Sequence, residues 1–388
     1  MMEYWIRRAL EVVKTPFLLF DLSVVEKKYL EMKAALKKAD IYYAVKANSH
    51  PRIISLLARL GSNFDVASKG EIEKLLALGV DGKRMSFGNT IKREEDIAFA
   101  YKNGIRLFAV DSEMEVEKVA INAPGSFVFV RVETDGADAD WPLSRKFGTN
   151  PEHALQLLSY ASKMKLIPAG LSFHVGSQNL NPESWKKAIE IAGRVFKKAM
   201  RSGLNLFLLN VGGGFPVQHT KPIPSMEEIG KAIEEAIDEN LWFVHNLKVI
   251  AEPGRYMVGE AGWLVTKVLL KSERSGEKWV YIDAGVFHGL AETIQNFEYE
   301  IRVLGKEREE LEEYHLAGPT CDSVDVIYDR IFLPKSITLN DLVCFINAGA
   351  YTVEYNTRFN GIEPPKMVFI EELTEISIEE KIKTRVLD

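Results

Sequence analysis

Cysteine is almost missing from this chain: of 388 residues only two, Cys321 and Cys344, carry a thiol. Two cysteines cannot build the disulfide framework that props up small secreted domains, although pairing between them stays open on sequence alone. No CxxC or HxxxH spacing gathers ligands from the seven scattered histidines, so no metal is expected. Long apolar runs are lacking too, and none approaches the ~20 residues that a membrane span needs. The N-terminus, Met1-Met2-Glu3-Tyr4-Trp5-Ile6-Arg7-Arg8, carries an acid and does not read as a signal peptide. Excess positive charge is absent: 49 Lys and Arg face 55 Asp and Glu, for a formal net charge of −6. That balance argues against a nucleic-acid partner and gives a weak attraction for cationic small molecules. There is no internal repeat or low-complexity tract. The expectation is a cytoplasmic protein with neither membrane nor nucleic acid as partner.

What is present is an ordinary globular balance, 46% hydrophobic and 27% charged, with enough apolar material for a sizeable core. Short runs rich in β-branched and aromatic residues fall at 41–46, 63–66, 84–88, 106–110, 127–132, 170–175, 206–211 and 248–252. Helix-length amphipathic segments separate them, among them 69–79, 113–121, 150–165, 182–203 and 225–239. Strands alternating with helices imply βαβ units and a parallel sheet, and eight such units over about 210 residues match a (β/α)8 barrel. A doubly wound open sheet is the structural rival, but it usually has fewer strands. After about residue 260 the texture changes to strands with short connections, at 263–271, 278–283, 330–333, 341–347 and 367–371. This reads as a mainly antiparallel β domain, which a strand within 12–22 joins from the N-terminal side. The expected division is a barrel over 22–260 and a discontinuous β domain over 1–21 and 261–388. The acidic run Glu307–Glu313 reads as a solvated face or loop.

In a barrel of this kind the C-terminal strand ends carry the chemistry. Here they end in Lys46, in Asp65 followed by Ser68, in Asp111, in Arg131, in His174-Val175-Gly176-Ser177, in Gly212-Gly213-Gly214 and in Glu252-Pro253-Gly254-Arg255. The triple glycine lets backbone N–H groups approach an anion, and the loops after strands seven and eight are where barrels commonly bind phosphate. A tight loop beside a surface arginine is the plainer reading. Lys46 is either a solvated strand-end lysine or a desolvated amine nucleophile. Glu252 suits a protonated ring nitrogen, or else a salt bridge to Arg255. His174 offers a flat ring for stacking, or is a hydrogen-bonded core histidine. In the second domain Gly318-Pro319-Thr320-Cys321-Asp322-Ser323 sets a thiol beside a carboxylate in a turn-forming loop, and Gly349-Ala350-Tyr351-Thr352 supplies a phenol. A thiol can act as a general acid and a carboxylate can pair with an ammonium group.

Taken together these motifs resemble the alanine-racemase-like class of pyridoxal-phosphate (PLP) decarboxylases, the group IV enzymes, and most closely the ornithine/lysine decarboxylases. The matching strings are 43–48, 64–68, 174–177, 212–216, 251–256, 318–322 and 349–352, followed by Phe359-Asn360-Gly361; they span about 15 to 370 in order. The resemblance implies α-decarboxylation of ornithine or lysine to putrescine or cadaverine, in polyamine biosynthesis. It implies that Lys46 holds PLP as a Schiff base, that Glu252 meets the pyridine nitrogen and that His174 stacks on the ring. Asp65 and Glu71 would support the lysine and cofactor. Ser177, Gly213, Gly214, Gly254, Arg255 and Tyr351 would bind the cofactor's phosphate end. Cys321 and Asp322 would reach into the other subunit's site in a homodimer, Cys321 as proton donor and Asp322 on the distal ammonium. Tyr351 and Glu292 complete the implied substrate contacts. The second distal carboxylate is a departure: the aligned position is Asn296, with Glu292 and Glu298 as neighbours.

Three rivals are weighed against this reading. A meso-diaminopimelate decarboxylase needs a cation for the distal carboxylate and usually glutamate after the motif cysteine, where this chain has Asp322. A racemase of this class sets arginine against the ring nitrogen, where this chain has Glu252. A non-catalytic, decarboxylase-like regulatory protein tends to lose cofactor contacts, whereas Lys46, Glu252, Arg255 and Cys321 are all kept.

Overall fold

A computed structural model of the chain describes residues 2–134, 139–141 and 146–374. Its internal contacts divide it into two compact units: Glu26–Pro216 with Ile223–Met257, and Met1–Val25 with Val217–Pro222 and Val258–Asp388. The short excursion Val217–Pro222 into the second unit has no marker in the sequence, because neither composition nor periodicity changes there.

The first unit is a closed barrel of eight parallel strands. In barrel order they are Ala39–Ala44, Asn63–Val66, Met85–Phe87, Leu107–Val110, Phe127–Arg131, Ile167–Ser172, Leu208–Asn210 and Lys248–Ala251. Each expected strand is present, and the register closes between Lys248–Ala251 and Ala39–Ala44. Part of the interior is filled by Ala109, Phe129, Ala169, Leu208 and Ile250, with Tyr42, Leu107, Phe127 and Phe207 packed against them, so the barrel is a packed core and not a pore. Strand contact at Gly170 demands glycine, because a Cβ there would lie 1.7 Å from the Leu208 carbonyl oxygen. Helix starts follow their local chemistry. The side chains of Ser68, Asn150 and Ser225 each accept a backbone N–H of the first turn, and Ser225 with Glu228 forms a capping box.

Two strands end two or more residues before the expected position. The first strand stops at Ala44, and Lys46 lies on a 3-10 turn, Val45–Ala47. The Ala44 N–H leaves the barrel ladder for the Pro253 carbonyl (3.0 Å), and the Tyr43 hydroxyl donates to the Asn48 carbonyl (2.9 Å), folding the chain back at once. The sixth strand spans Ile167–Ser172 and ends two residues before His174. Apolar content continues past the last paired residue in both cases, so composition overruns the strand.

The second unit is built on a mixed sheet in the order Ile301–Val303, Leu342–Phe345, Gly262–Arg274, Glu277–Ile282, Leu311–Ala317, Val326–Pro334. The N-terminal strand Phe17–Phe20 pairs antiparallel with Gly262–Arg274 and parallel with Lys366–Phe369, which makes this unit discontinuous in sequence. The acidic run 307–313 is part loop and part strand. Leu311 and Glu313 are exposed, while Glu312 pairs with Lys278. The helix Met2–Leu10 was not anticipated, yet it buries Ile6 and Ala9 against Phe17, Val265 and Val368, with Met2 and Trp5 alongside.

Candidate active site

The barrel's C-terminal strand ends bring together Lys46, Asp65, Arg131, His174 and Glu252. Lys46 exposes its side chain, while its neighbours Val45 and Ala47 are fully buried and fix the turn beneath it. Its charge acts on Asp65, His174 and Glu252. Asp65 is buried, and Gly88 passes so close that a Cβ there would sit 2.0 Å from its Oδ1. Burial pushes the Asp65 carboxyl well above the usual range, the Glu252 charge adds to this, and Lys46 opposes it. Burial likewise raises Glu252, while the Asn210 hydrogen bond, Lys46 and Arg131 pull it down. Two carboxylates therefore face two cations, Lys46 and Arg131, in a desolvated setting where each protonation state depends on the others.

His174 is held neutral. Burial first, then the charges of Arg131 and Lys46, push its pKa well below the usual imidazole value. Its Nδ1 accepts the Gly176 N–H at 3.0 Å, so the neutral ring carries its proton on Nε2. Gly212 has φ 68° and Gly214 φ 96°, conformations that favour glycine. A Cβ on Gly213 would come within 2.6 Å of the Glu252 carbonyl oxygen and 3.1 Å of His174 Nε2. This is a cradle in which any side chain would fill the space against the imidazole. Arg255 opens the short helix Arg255–Val258 and is 4% exposed. Ser177 begins the strand Ser177–Asn179, and Gly254 accepts the Met257 N–H. Glu71 supports the wall of the site from helix Lys69–Ala77: its carboxylate accepts the Ala67 N–H at 2.6 Å, and its own N–H donates to Ser68.

These residues fit PLP. An exposed amine suits the carbonyl, a half-buried carboxylate the ring nitrogen, a neutral flat imidazole the ring face, and a glycine turn with a buried arginine the phosphate.

The second unit carries the remaining sequence candidates on its own loops. Cys321 is exposed and free, and its backbone N–H donates to Asn360 Oδ1 at 3.0 Å. Asp322 is exposed, its Oδ1 accepting the Val324 N–H. Tyr351 has φ 65° and stacks on Tyr355 with ring centroids 5.6 Å apart. Glu292 is 2% exposed and accepts the Tyr299 hydroxyl at 3.1 Å, whereas Asn296 and Glu298 are exposed. Cys344, the other thiol, lies buried in the sheet.

Two residues escaped sequence reading. Asn210 closes the seventh strand and donates to Glu252 Oε1 at 2.5 Å. At the end of an apolar run it looked like a strand terminus. Asp325, buried at 2% exposure, accepts donors from two loops. Among the described residues no cluster of His, Cys, Asp and Glu forms a metal site, and no helix is long and apolar enough to cross a membrane.

A parallel barrel whose strand ends gather an exposed lysine, a carboxylate and a glycine turn has the make-up of a PLP-binding enzyme. The family model for the pyridoxal-dependent decarboxylase, pyridoxal binding domain, matches residues 22–259, and the chain belongs to the pyridoxal-dependent decarboxylase family. It is 37% identical over 370 residues to a lysine/ornithine decarboxylase of Selenomonas ruminantium, covering 94% of this chain and 91% of that protein. A crystal structure of SrLDC in complex with PLP and cadaverine aligns over 100% of this chain and 99% of its own, with TM-score 0.89 and 34% identity. A lysine/ornithine decarboxylase from Vibrio vulnificus complexed with cadaverine aligns over 95% of this chain and 98% of its own, with TM-score 0.86 and 34% identity.

Proposed function

We propose that this chain removes the α-carboxylate of L-ornithine or L-lysine, releasing putrescine or cadaverine, as a cytoplasmic homodimer with shared active sites. The observation that carries the reading is the exposed Lys46 amine set among Asp65, neutral His174 and the half-buried Glu252. Its full-length similarity to lysine/ornithine decarboxylases supports the choice of substrate. PLP, when bound, supplies an electron sink for the pair left by the departing carboxylate.

The chain's own residues do the rest. Lys46 would hold the cofactor through its amine. Glu252 would hold a proton at the ring nitrogen, and His174, kept neutral, would offer its flat ring for stacking without competing for that proton. Ser177, Gly213, Gly214, Arg255 and Tyr351 would hold the phosphate, with Gly254 beside them. On the resemblance, Cys321 of one subunit delivers a proton to the substrate's α-carbon in the other, and Asp322 pairs with the distal ammonium. Glu292 is the candidate for the second distal carboxylate; it is buried and accepts the Tyr299 hydroxyl.

The test is CO2 release from ornithine, lysine, arginine and meso-diaminopimelate, with borohydride fixing the cofactor on Lys46 as an independent readout. Fastest turnover of ornithine or lysine supports the proposal. Fastest turnover of diaminopimelate overturns the substrate, and failure to take up PLP overturns the enzyme.

A further inference from the structure

Glu252 is not held by its own strand alone. The fully buried Asn210, at the end of the neighbouring strand, donates from Nδ2 to Glu252 Oε1 at 2.5 Å. Its Oδ1 accepts the Gly212 N–H at 2.9 Å, and the Glu252 N–H in turn donates to the Gly212 carbonyl at 2.7 Å. The amide's orientation is therefore set from both ends: Gly212 requires an acceptor, which turns the donor toward Glu252. A donor that cannot ionise favours the charged form of a buried carboxylate and fixes its direction. The other charged or titratable groups acting on Glu252 are Lys46, Arg131, Asp65 and Tyr42. Lys46 and Arg131 share their positive charge between Glu252 and Asp65, whereas Asn210 donates a hydrogen bond directly to the Glu252 carboxylate.

We propose that Asn210 is a positioning residue that keeps Glu252 ionised and aimed, and so sets the strength of its interaction with the cofactor's ring nitrogen. This rests on the reading of Glu252 as the ring-nitrogen partner. An aspartate at 210 would keep the acceptor for Gly212 but place a second carboxylate against Glu252. Such a pair shares one proton, and while it does so the donor is restored; loss of that proton sets like charges in contact and drives them apart.

The test compares equilibrium binding of PLP with binding of its 1-deaza analogue, which lacks the ring nitrogen, so the ratio isolates that interaction without catalysis. Wild type is expected to prefer PLP, and Glu252→Ala to lose the preference. Asn210→Leu should reduce it about tenfold or more, the range for a hydrogen bond to a charged group. Asn210→Asp should match wild type near about pH 6 and fall below it near about pH 9, as the shared proton is lost. Should Asn210→Leu misfold, the pH profile of Asn210→Asp decides. A preference equal to wild type in Asn210→Asp at both pH values, or lowered equally at both, overturns the role of Asn210 while Glu252→Ala still shows its effect. No preference in wild type overturns the role of Glu252 instead.

Discussion

Asp325 grips Thr320 twice. Its Oδ2 accepts both the Thr320 backbone N–H at 3.0 Å and the Thr320 hydroxyl at 2.7 Å. Its other oxygen accepts the Val286 N–H at 2.9 Å, and its carbonyl accepts the Gly318 N–H. Gly285 and Gly318 leave room for the carboxylate, since a Cβ on either would come within 2.0 and 2.3 Å of Oδ1. The residue after Thr320 is Cys321, so a buried, fully engaged carboxylate sets the base of an exposed thiol loop.

Removing that carboxylate in Asp325→Ala orphans three donors at once, two of them backbone. The expected loss is about 2–4 kcal/mol of stability, from unsatisfied buried groups. The loop should loosen with it, so alkylation of Cys321 by iodoacetamide should quicken under conditions where the protein stays folded. Urea denaturation and the alkylation rate check the two effects separately. An unchanged alkylation rate would remove Asp325 from any part in placing the thiol.

How much of this was legible beforehand depends on the range of the interactions. The eight barrel strands were readable because each is a short, nearly continuous apolar run, the mark of a parallel strand buried on both faces. Lys46, Glu252 and the glycine turn were readable because they stand at the ends of those runs. The strand Leu311–Ala317 was hidden because it opens with two adjacent acids, Glu312 and Glu313, at the end of an acidic run, which resembles a charged loop. Asn210 and Asp325 were hidden for another reason. Their importance lies in partners 42 and 39 residues away, Glu252 and Val286, and no local pattern records such a pairing. The acceptor role of Glu292 toward Tyr299 was missed in the same way, although only seven residues separate them, because a 3-10 turn and not a regular element brings them together.

The glycine turn separates two effects of adding one methyl group. At Gly213 the backbone is not in the left-handed region, so Gly213→Ala should fold; its Cβ would crowd His174 Nε2 and the Glu252 carbonyl. PLP affinity should fall, and the urea midpoint should fall less than in Gly212→Ala, because only the clash with the Glu252 carbonyl and no left-handed backbone opposes the methyl group. At Gly212, with φ 68° and a Cβ 2.1 Å from the Phe173 carbonyl, alanine meets both a strained backbone and a backbone clash. Gly212→Ala should therefore lose stability, by at least about 1–2 kcal/mol. Equal effects of the two variants on both measurements would contradict the cradle described for Gly213.

Lys92 offers a pH dependence whose sign is fixed by its surroundings. Its side chain is fully buried, donating to the carbonyls of Asn89 (2.9 Å) and Ala109 (2.6 Å) and pairing with Glu115 at 2.9 Å, which Lys118 also contacts. Burial outweighs Glu115 and pulls the Lys92 pKa from 10.5 down to about 8. The folded protein thus binds this proton less tightly than the unfolded chain does. Between about pH 8 and 10.5 the unfolded state holds more protons, and stability from this group rises with pH across that window. It is lost again as pH falls through about 8. Lys92→Met removes the titration, so the unfolding free energy of wild type minus that of Lys92→Met should grow by about 1–2 kcal/mol from pH 7.5 to 9.5. Urea denaturation of both proteins at the two pH values measures it. A difference that stays flat or shrinks with rising pH would mean that Glu115 and the two carbonyls hold the ammonium charged despite its burial.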